Sequence, residues 1–494
     1  MGRDAYEPLT AQDRAFLVFE DRNTHMHLGG LAIFDGDPLV GRNGAIAIDR
    51  IRAHIASCLH VVPRYRQRLA WVPMRGRAVW VDESQFNLEY HVRHTAVPRP
   101  GGEPELRELA SRIMSQQLDR GKPLWELWVI TGLRGGRFGV LVKSHHALAD
   151  GIAAFDLFAA LLRPTPDDAV AAIEPWIPRP SPSTLSLLRD EVLAQVATPL
   201  NTVRGLWGAL RDSPDLGERV RDAVRSVLEL AGAGVRPPMD TPLNRPIGPH
   251  RRFDWLSVDL AAAKMAAGRL GGTVNDVVLA TVAGAVRRFL TAREAPLHGE
   301  FRVIVPVSVR GEDERGQVNN RVAGWLVTLP IAERSVLARY EAVCATTARL
   351  KAEHGERGPE MLVRVADYAL PGLLTLGVRL TSVLRPYNLI VTNVPGPQIP
   401  LYLLGARMRS AFPLVPLFES QALGIAIFSH DGRLCFGVNA DWDLVSDLDE
   451  FVRALRLSFR ELIRAAERAP KSPPRLKGDR AAAKSPSSAR SSAG

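Results

Sequence analysis

Residues 144–151 read SHHALADG, and three kinds of chemistry compete for them. Two histidines can serve a metal ion. Adjacent residues on an extended corner point in opposite directions, however, and HExxH spacing is absent, so one ion would not easily take both rings. The stretch can also be an ordinary strand-to-helix corner, with Asp150 capping a helix that starts at Gly151 and either histidine a satisfied core residue. In the third reading one histidine faces a cleft as a general base. Neutral imidazole titrates near neutral pH and can take a proton from a hydroxyl. Asp150 would then organise the corner by pairing with an arginine, and Gly151 would let backbone or substrate approach closely. Ser144 precedes the pair directly and is poorly placed to reach either ring. That favours direct attack by a bound acceptor over a covalent intermediate on the protein.

The elements that must position this corner follow from hydrophobic periodicity. Residues 137–143, FGVLVKS in the main, form a buried strand, and 151–163 form a helix with Ile152, Phe155, Phe158 and Leu162 at helical spacing. A strand–corner–helix unit here implies an α/β domain over residues 1–165. Residues 166–250 are rich in proline and other breakers, with helices expected over about 184–212 and 217–231, and read as a crossover linker. The second helix is basic and amphipathic, which suits a solvated face packed on the body or contact with a membrane surface. A second domain spans 251–468. In it, RFDWLSVDL is strand-like, a helix begins at Thr273 with Asp276 placed to complete a capping box, 301–309 is a strand, 421–429 and 434–441 form a hairpin, and a helix closes the domain over 446–467. The fold class is α/β (α+β) in two halves.

Composition narrows the function classes. With 46% hydrophobic and 23% charged residues over 494 positions, the chain is globular and long enough for two cores. Its three cysteines, Cys58, Cys344 and Cys435, lie far apart without a CxxC pair, which argues against a cysteine zinc site or a disulfide framework and fits a reducing compartment. The N-terminus has no apolar signal-like run. The longest uncharged run, 386–406, carries four prolines and does not suit a membrane span. Net charge is +10, and the tail 469–494 holds six basic residues against Asp479; it reads as disordered. The rest of the charge is dilute. It suits an anionic membrane surface or a phosphate-bearing ligand and does not call for nucleic acid. There is no Walker loop, GxGxxG or GxSxG elbow.

HHALADG matches the HHxxxDG motif of the acyl-CoA-dependent acyltransferase superfamily. LTAQDRAFLVFEDRNTHMHLGGLAIFDG near the start, PRYRQRL (63–69), LDRGKPLWEL (118–127), TVNDVVLA (273–280), PVSVR (306–310), TNVPGP (392–397) and LCFGVNAD (434–441) occur in the expected order. Over about residues 5–468 the chain resembles the bacterial wax ester synthase/acyl-CoA:diacylglycerol acyltransferase family. The resemblance implies two chloramphenicol-acetyltransferase-like domains, a crossover linker and a central channel. It implies His146 as general base, His145 in support, Asp150 and Gly151 shaping the corner, and Arg310 as the partner of Asp150. It makes Asn275 a candidate oxyanion donor near a helix N-terminus. Asp276 is then a capping residue and Trp125, of the PLW motif, a packing residue. NNR at 319–321 departs from the GN pair of many relatives. The implied reaction moves a long-chain acyl group from acyl-CoA, a substrate and not a cofactor, to diacylglycerol or a fatty alcohol, giving triacylglycerol or wax ester. No cofactor or metal is implied, and the place of work is the cytoplasm, at the inner membrane face or a lipid-droplet surface. Alternatives are another cell-envelope lipid alcohol as acceptor, a carrier-bound donor, or a non-catalytic lipid-binding relative.

Overall fold

The structure is a computed structural model, and it describes residues 6–42, 44–72, 77–148, 153–184, 186, 187, 189, 238–308, 322–353 and 387–470. The expected linker helices at 184–212 and 217–231 and the basic tail lie almost wholly outside these residues.

The N-terminal half runs β1 (Glu7–Pro8), α1 (Ala11–Phe19), β2 (His27–Asp35), α2 (Ile48–Cys58), β3 (Gln67–Val72), β4 (Arg77–Asp82), α3 (Leu88–His91), β5 (Val92–Ala96), α4 (Glu103–Ser115), β6 (Trp125–Leu133), β7 (Arg137–His145) and α5 (Ala153–Leu161). The C-terminal half continues with β8 (Arg251–Asp259), α6 (Leu260–Leu270), α7 (Val274–Thr291), β9 (Phe301–Ser308), β10 (Val322–Leu329), α8 (Val336–Glu353), β11 (Leu389–Pro395), β12 (Tyr402–Leu403), β13 (Ala406–Leu414), β14 (Leu423–His430), β15 (Arg433–Asp441) and α9 (Leu448–Arg468).

Two six-stranded mixed sheets dominate, with orders β12-β13-β2-β7-β6-β5 and β10-β9-β11-β14-β15-β8; β1, β4 and β3 make a small third sheet. The expected strand at 137–143, the strand at 301–309, the hairpin at 421–441, the helix from Thr273 and the closing helix are all present. The boundaries drawn at 165, 250 and 468 do not anticipate one exchange. Residues 402–414 belong by position to the second half, yet β13 pairs antiparallel with β2, Phe412 opposite Leu31 and Leu414 opposite Gly29. The reason is burial. Phe412 and Leu414 are apolar and sealed in a core shared by Leu31, Ile33 and Leu141 of the first sheet and Phe253 and Trp255 of the second. Trp255 stacks on Phe412 with ring centroids 5.4 Å apart.

A second seam locks the halves. β8 is an edge strand, and an edge leaves backbone donors unpaired. Here Ser115 Oγ accepts from the Arg251 N–H at 2.8 Å and Ser111 Oγ from the Phe253 N–H at 2.9 Å. Ser111 and Ser115 are four apart, on one face of α4, and so match alternate residues of the strand. The two sheets are thereby held against each other across the strand that follows the crossover.

Candidate active site

β7 lies between β2 and β6 in the first sheet, so the histidine pair at its end is braced from both sides. His145 stands opposite His27. Its N–H donates to the Leu124 carbonyl at 2.9 Å, the next N–H, of His146, donates to the Met26 carbonyl at 2.7 Å, and the Leu148 N–H closes a turn on the His145 carbonyl at 2.9 Å. The strand therefore ends at His145, and His146 opens the turn. Both rings meet α1 or its C-cap. The His146 ring stacks on Phe16 at 3.6 Å, and His145 Nε2 sits 3.3 Å from the carboxylate of Glu20, one turn later.

The two rings live in different surroundings. His145 is buried, and its Nδ1 accepts from the Ala147 N–H at 3.0 Å. His146 is half-buried, and its Nδ1 has no hydrogen-bond partner. Removal from water pushes the His146 ring down to about 4, and the neighbouring His145 pushes it the same way. His146 is thus a neutral imidazole at ordinary pH, with an unengaged nitrogen lone pair or N–H and an aromatic plate behind it. Ser144 is fully buried with an unpartnered hydroxyl.

The PLW stretch holds the corner from the other side. Leu124 supplies the carbonyl that receives His145. Trp125 is fully buried, donates from Nε1 to the Tyr65 carbonyl at 2.8 Å and stacks on His91 at 4.7 Å. His91 Nδ1 donates to the Trp125 carbonyl at 2.8 Å, and burial pushes that ring down to about 4.

Asp150, Gly151 and Arg310 lie outside the described residues, as does the NNR stretch. Asn275 is in the other half, at the first turn of α7. The Asn393 amide NH2, on β11, donates to its Oδ1 at 3.5 Å, which leaves the Asn275 NH2 as the group available for an oxyanion. No described contact joins Asn275 to the histidine pair. Asp276 is buried and caps α7: its Oδ2 accepts from the Thr273 N–H at 2.7 Å, Thr273 Oγ1 accepts from the Asp276 N–H at 3.3 Å, and Thr347 donates to its Oδ1 at 2.6 Å. Phe16, Glu20 and Arg120 lie within the motif segments 9–36 and 118–127, but the motifs assign them no role. Their signal is weak in sequence, since each is one residue of a common type on a helix or loop.

An almost wholly apolar cavity of about 40 Å³ opens between the strands, lined by residues 29–32 of β2, Val142 of β7, Phe158 of α5, residues 411–413 of β13 and Phe428 of β14. Val142 is three residues before His145, about 10 Å along the strand. Gly29 and Gly30 make the lining possible. A Cβ on Gly29 would lie 2.0 Å from the Val142 carbonyl oxygen, and one on Gly30 2.8 Å from that of Phe412. The volume holds about three water-sized groups, a few methylenes of an alkyl chain. Among the described residues no three His, Cys, Asp or Glu side chains are arranged to hold a metal, and no helix is long and apolar enough to cross a membrane.

The model of the wax ester synthase/diacylglycerol acyltransferase catalytic domain matches residues 9–278, and that of the family's C-terminal domain matches 318–463. A probable diacylglycerol O-acyltransferase of Mycobacterium tuberculosis is 32% identical over 467 residues, covering 93% of this chain and 96% of that one. A second from the same organism is 32% identical over 461 residues, covering 92% and 98%. Among solved structures, the wax ester synthase/diacylglycerol acyltransferase of Marinobacter aquaeolei VT8 superposes with a TM-score of 0.69 at 24% identity, over 93% of this chain and 100% of that one. The starter condensation domain of rhizomide synthetase shares the fold at a TM-score of 0.58 and 13% identity, over 94% of this chain and 96% of that one. With both halves matched and the histidine pair set in the catalytic one, the chain belongs to the wax ester synthase/diacylglycerol acyltransferase family.

Proposed function

We propose that this protein transfers a long-chain acyl group from acyl-CoA to the free hydroxyl of diacylglycerol, forming triacylglycerol, and to long-chain alcohols, forming wax esters. The observation that carries the reading is the His146 ring: neutral, backed by Phe16 and unpartnered at Nδ1, in a chain of this family. His146 takes the hydroxyl proton as the alcohol oxygen attacks the thioester carbonyl. The new C–O bond forms and the carbonyl electrons move to oxygen. The Asn275 NH2, at the positive end of α7, is the donor for that oxyanion. Collapse breaks the C–S bond, and the CoA thiolate leaves with the proton that His146 held. Ser144 is sealed away and takes no part, so no acyl-enzyme forms. Asp150, Gly151 and Arg310 shape the corner, as the family motif implies. No metal or other cofactor enters the reaction.

The acceptors are lipids, so the enzyme works at a membrane or lipid-droplet surface on the cytoplasmic side, with the basic tail 469–494 drawn to anionic lipid. Purified protein is given palmitoyl-CoA with diacylglycerol or hexadecanol, and CoA release is followed for wild type and His146→Ala. Release that depends on the acceptor and is lost in the variant supports the reading. Release that survives the substitution removes His146 as base, and no release with either acceptor removes the two acceptor classes.

A further inference from the structure

Glu20 is a buried carboxylate that the proton transfer at His146 does not use. It is the C-cap residue of α1, with a side chain 5% exposed. Its Oε2 accepts from Arg120 Nε at 2.9 Å and Arg120 Nη2 at 2.6 Å, and faces His145 Nε2 at 3.3 Å; its Oε1 lies 3.8 Å from His27 Nε2. Burial alone would raise its pKa, but His145 and Arg120 outweigh burial and hold it below the usual carboxylate range. His145 therefore has a carboxylate oxygen 3.3 Å from Nε2, not aligned as a hydrogen bond, and a backbone donor, the Ala147 N–H, at Nδ1. One neutral ring suits both: the Ala147 N–H needs a lone pair on Nδ1, which leaves the proton on Nε2, the side of the carboxylate charge. With the proton moved, Nδ1–H would face an N–H and a lone pair would face the carboxylate.

The Ala147 amide is the peptide unit that follows His146. Holding it fixes the backbone on the C-terminal side of the base, as the Met26 carbonyl fixes the N-terminal side. Phe16, four residues before Glu20, holds the ring itself. One helix and its cap residue thus reach the base twice, by an aromatic plate and by a carboxylate acting through a neighbour. We infer that Glu20, anchored by Arg120, is a positioning residue for His146, acting by setting the tautomer of His145. The inference rests on His146 being the base.

Kinetics of Glu20→Gln and Glu20→Leu with palmitoyl-CoA and diacylglycerol, together with hydrogen exchange of the Ala147 amide, test it. Misplacing a reacting group by about 1 Å costs about 10²-fold, so kcat falls by about that in Glu20→Leu with KM unchanged. Glu20→Gln keeps an acceptor but loses the charge, and falls by about tenfold. The Ala147 amide exchanges faster in both, most in Glu20→Leu. Normal kcat in both variants, or unchanged exchange at Ala147, overturns the inference. If Glu20→Leu does not fold, Glu20→Gln decides alone on the same two readings. Activity surviving in His146→Ala would overturn the base assignment separately, while exchange at Ala147 would still judge the Glu20 contact.

Discussion

The histidine corner and the Asn275 corner are both turns that present one side chain, but they are built in opposite ways. The Asn275 corner is local. Thr273 and Asp276 exchange hydrogen bonds across three residues, with further reaches to Thr347 of α8 and Asn393 of β11. The histidine corner is assembled from afar. Met26, Leu124, and Phe16 with Glu20 come from three places in the first 125 residues, and Arg120 stands behind Glu20. A locally built corner survives changes elsewhere and is sensitive to its own cap. A corner assembled at long range is sensitive to residues that never touch substrate.

The largest effect that sharpens this contrast is expected from His146→Ala. Loss of a general base costs about 10²–10⁴-fold in kcat, while the thermal midpoint stays near that of the parent. The turn is held by main-chain bonds from His145, His146 and Leu148, which the substitution leaves in place. A loss confined to KM would instead make His146 a binding residue.

Next comes Asn275→Ala. Removing one oxyanion donor costs about 10²–10³-fold in kcat, with little change in stability because Asn275 is not the capping residue. The assay is the same CoA release. A loss under about threefold, set against that range, would leave Asn275 as a packing partner of Asn393 and the oxyanion without its proposed donor.

The contrast also explains what could be read in advance. The capping box, the hairpin and the strand ending in the histidine pair are short-range patterns of period two, period 3.6 or fixed turn spacing, and each stands where its pattern places it. The insertion of β13 beside β2 is a pairing across some 375 residues, and nothing local in AFPL says which sheet will take it. Glu20 likewise looks like any helix-terminal acid until Arg120 and His145 close on it. The pattern of adjacent histidines likewise says nothing of α1, yet both rings meet it or its C-cap. Asp150, Gly151 and Arg310 remain motif residues by resemblance.

A smaller effect is expected from Asp276→Ala. It removes the cap bond to Thr273 and the bond from Thr347, so the chain should lose about 1–3 kcal/mol of stability in denaturant unfolding. If the Asn275 corner is as local as its bonds, kcat at 25 °C stays within about threefold, far from the range for a lost oxyanion donor. A collapse of kcat to the Asn275→Ala level would mean that the cap also aims the amide.

The smallest effect separates the corners by pH. Burial pushes His91, beneath Trp125, and His146 down to about 4, from an ordinary value near 6.5. Between those values the unfolded chain binds protons that the folded chain refuses, so stability falls as pH drops from 6.5 towards 4. Each such ring contributes about 1–2 kcal/mol of loss between pH 7 and 5. Glu20, held low, begins to lose its contribution as pH falls into the ordinary carboxylate range near 4.5, so the window from pH 7 to 5 reports mainly on histidines. The difference in unfolding free energy between pH 7 and 5 should therefore shrink in His91→Gln, even though that change also costs stability at both pH values by removing the stack on Trp125. Asp276→Ala should lower the two values equally, because no histidine stands among Thr273, Asn275, Asp276, Thr347 and Asn393. An undiminished pH difference in His91→Gln would mean that the ring is protonated in the folded protein, and that the support under Trp125 is a charged one.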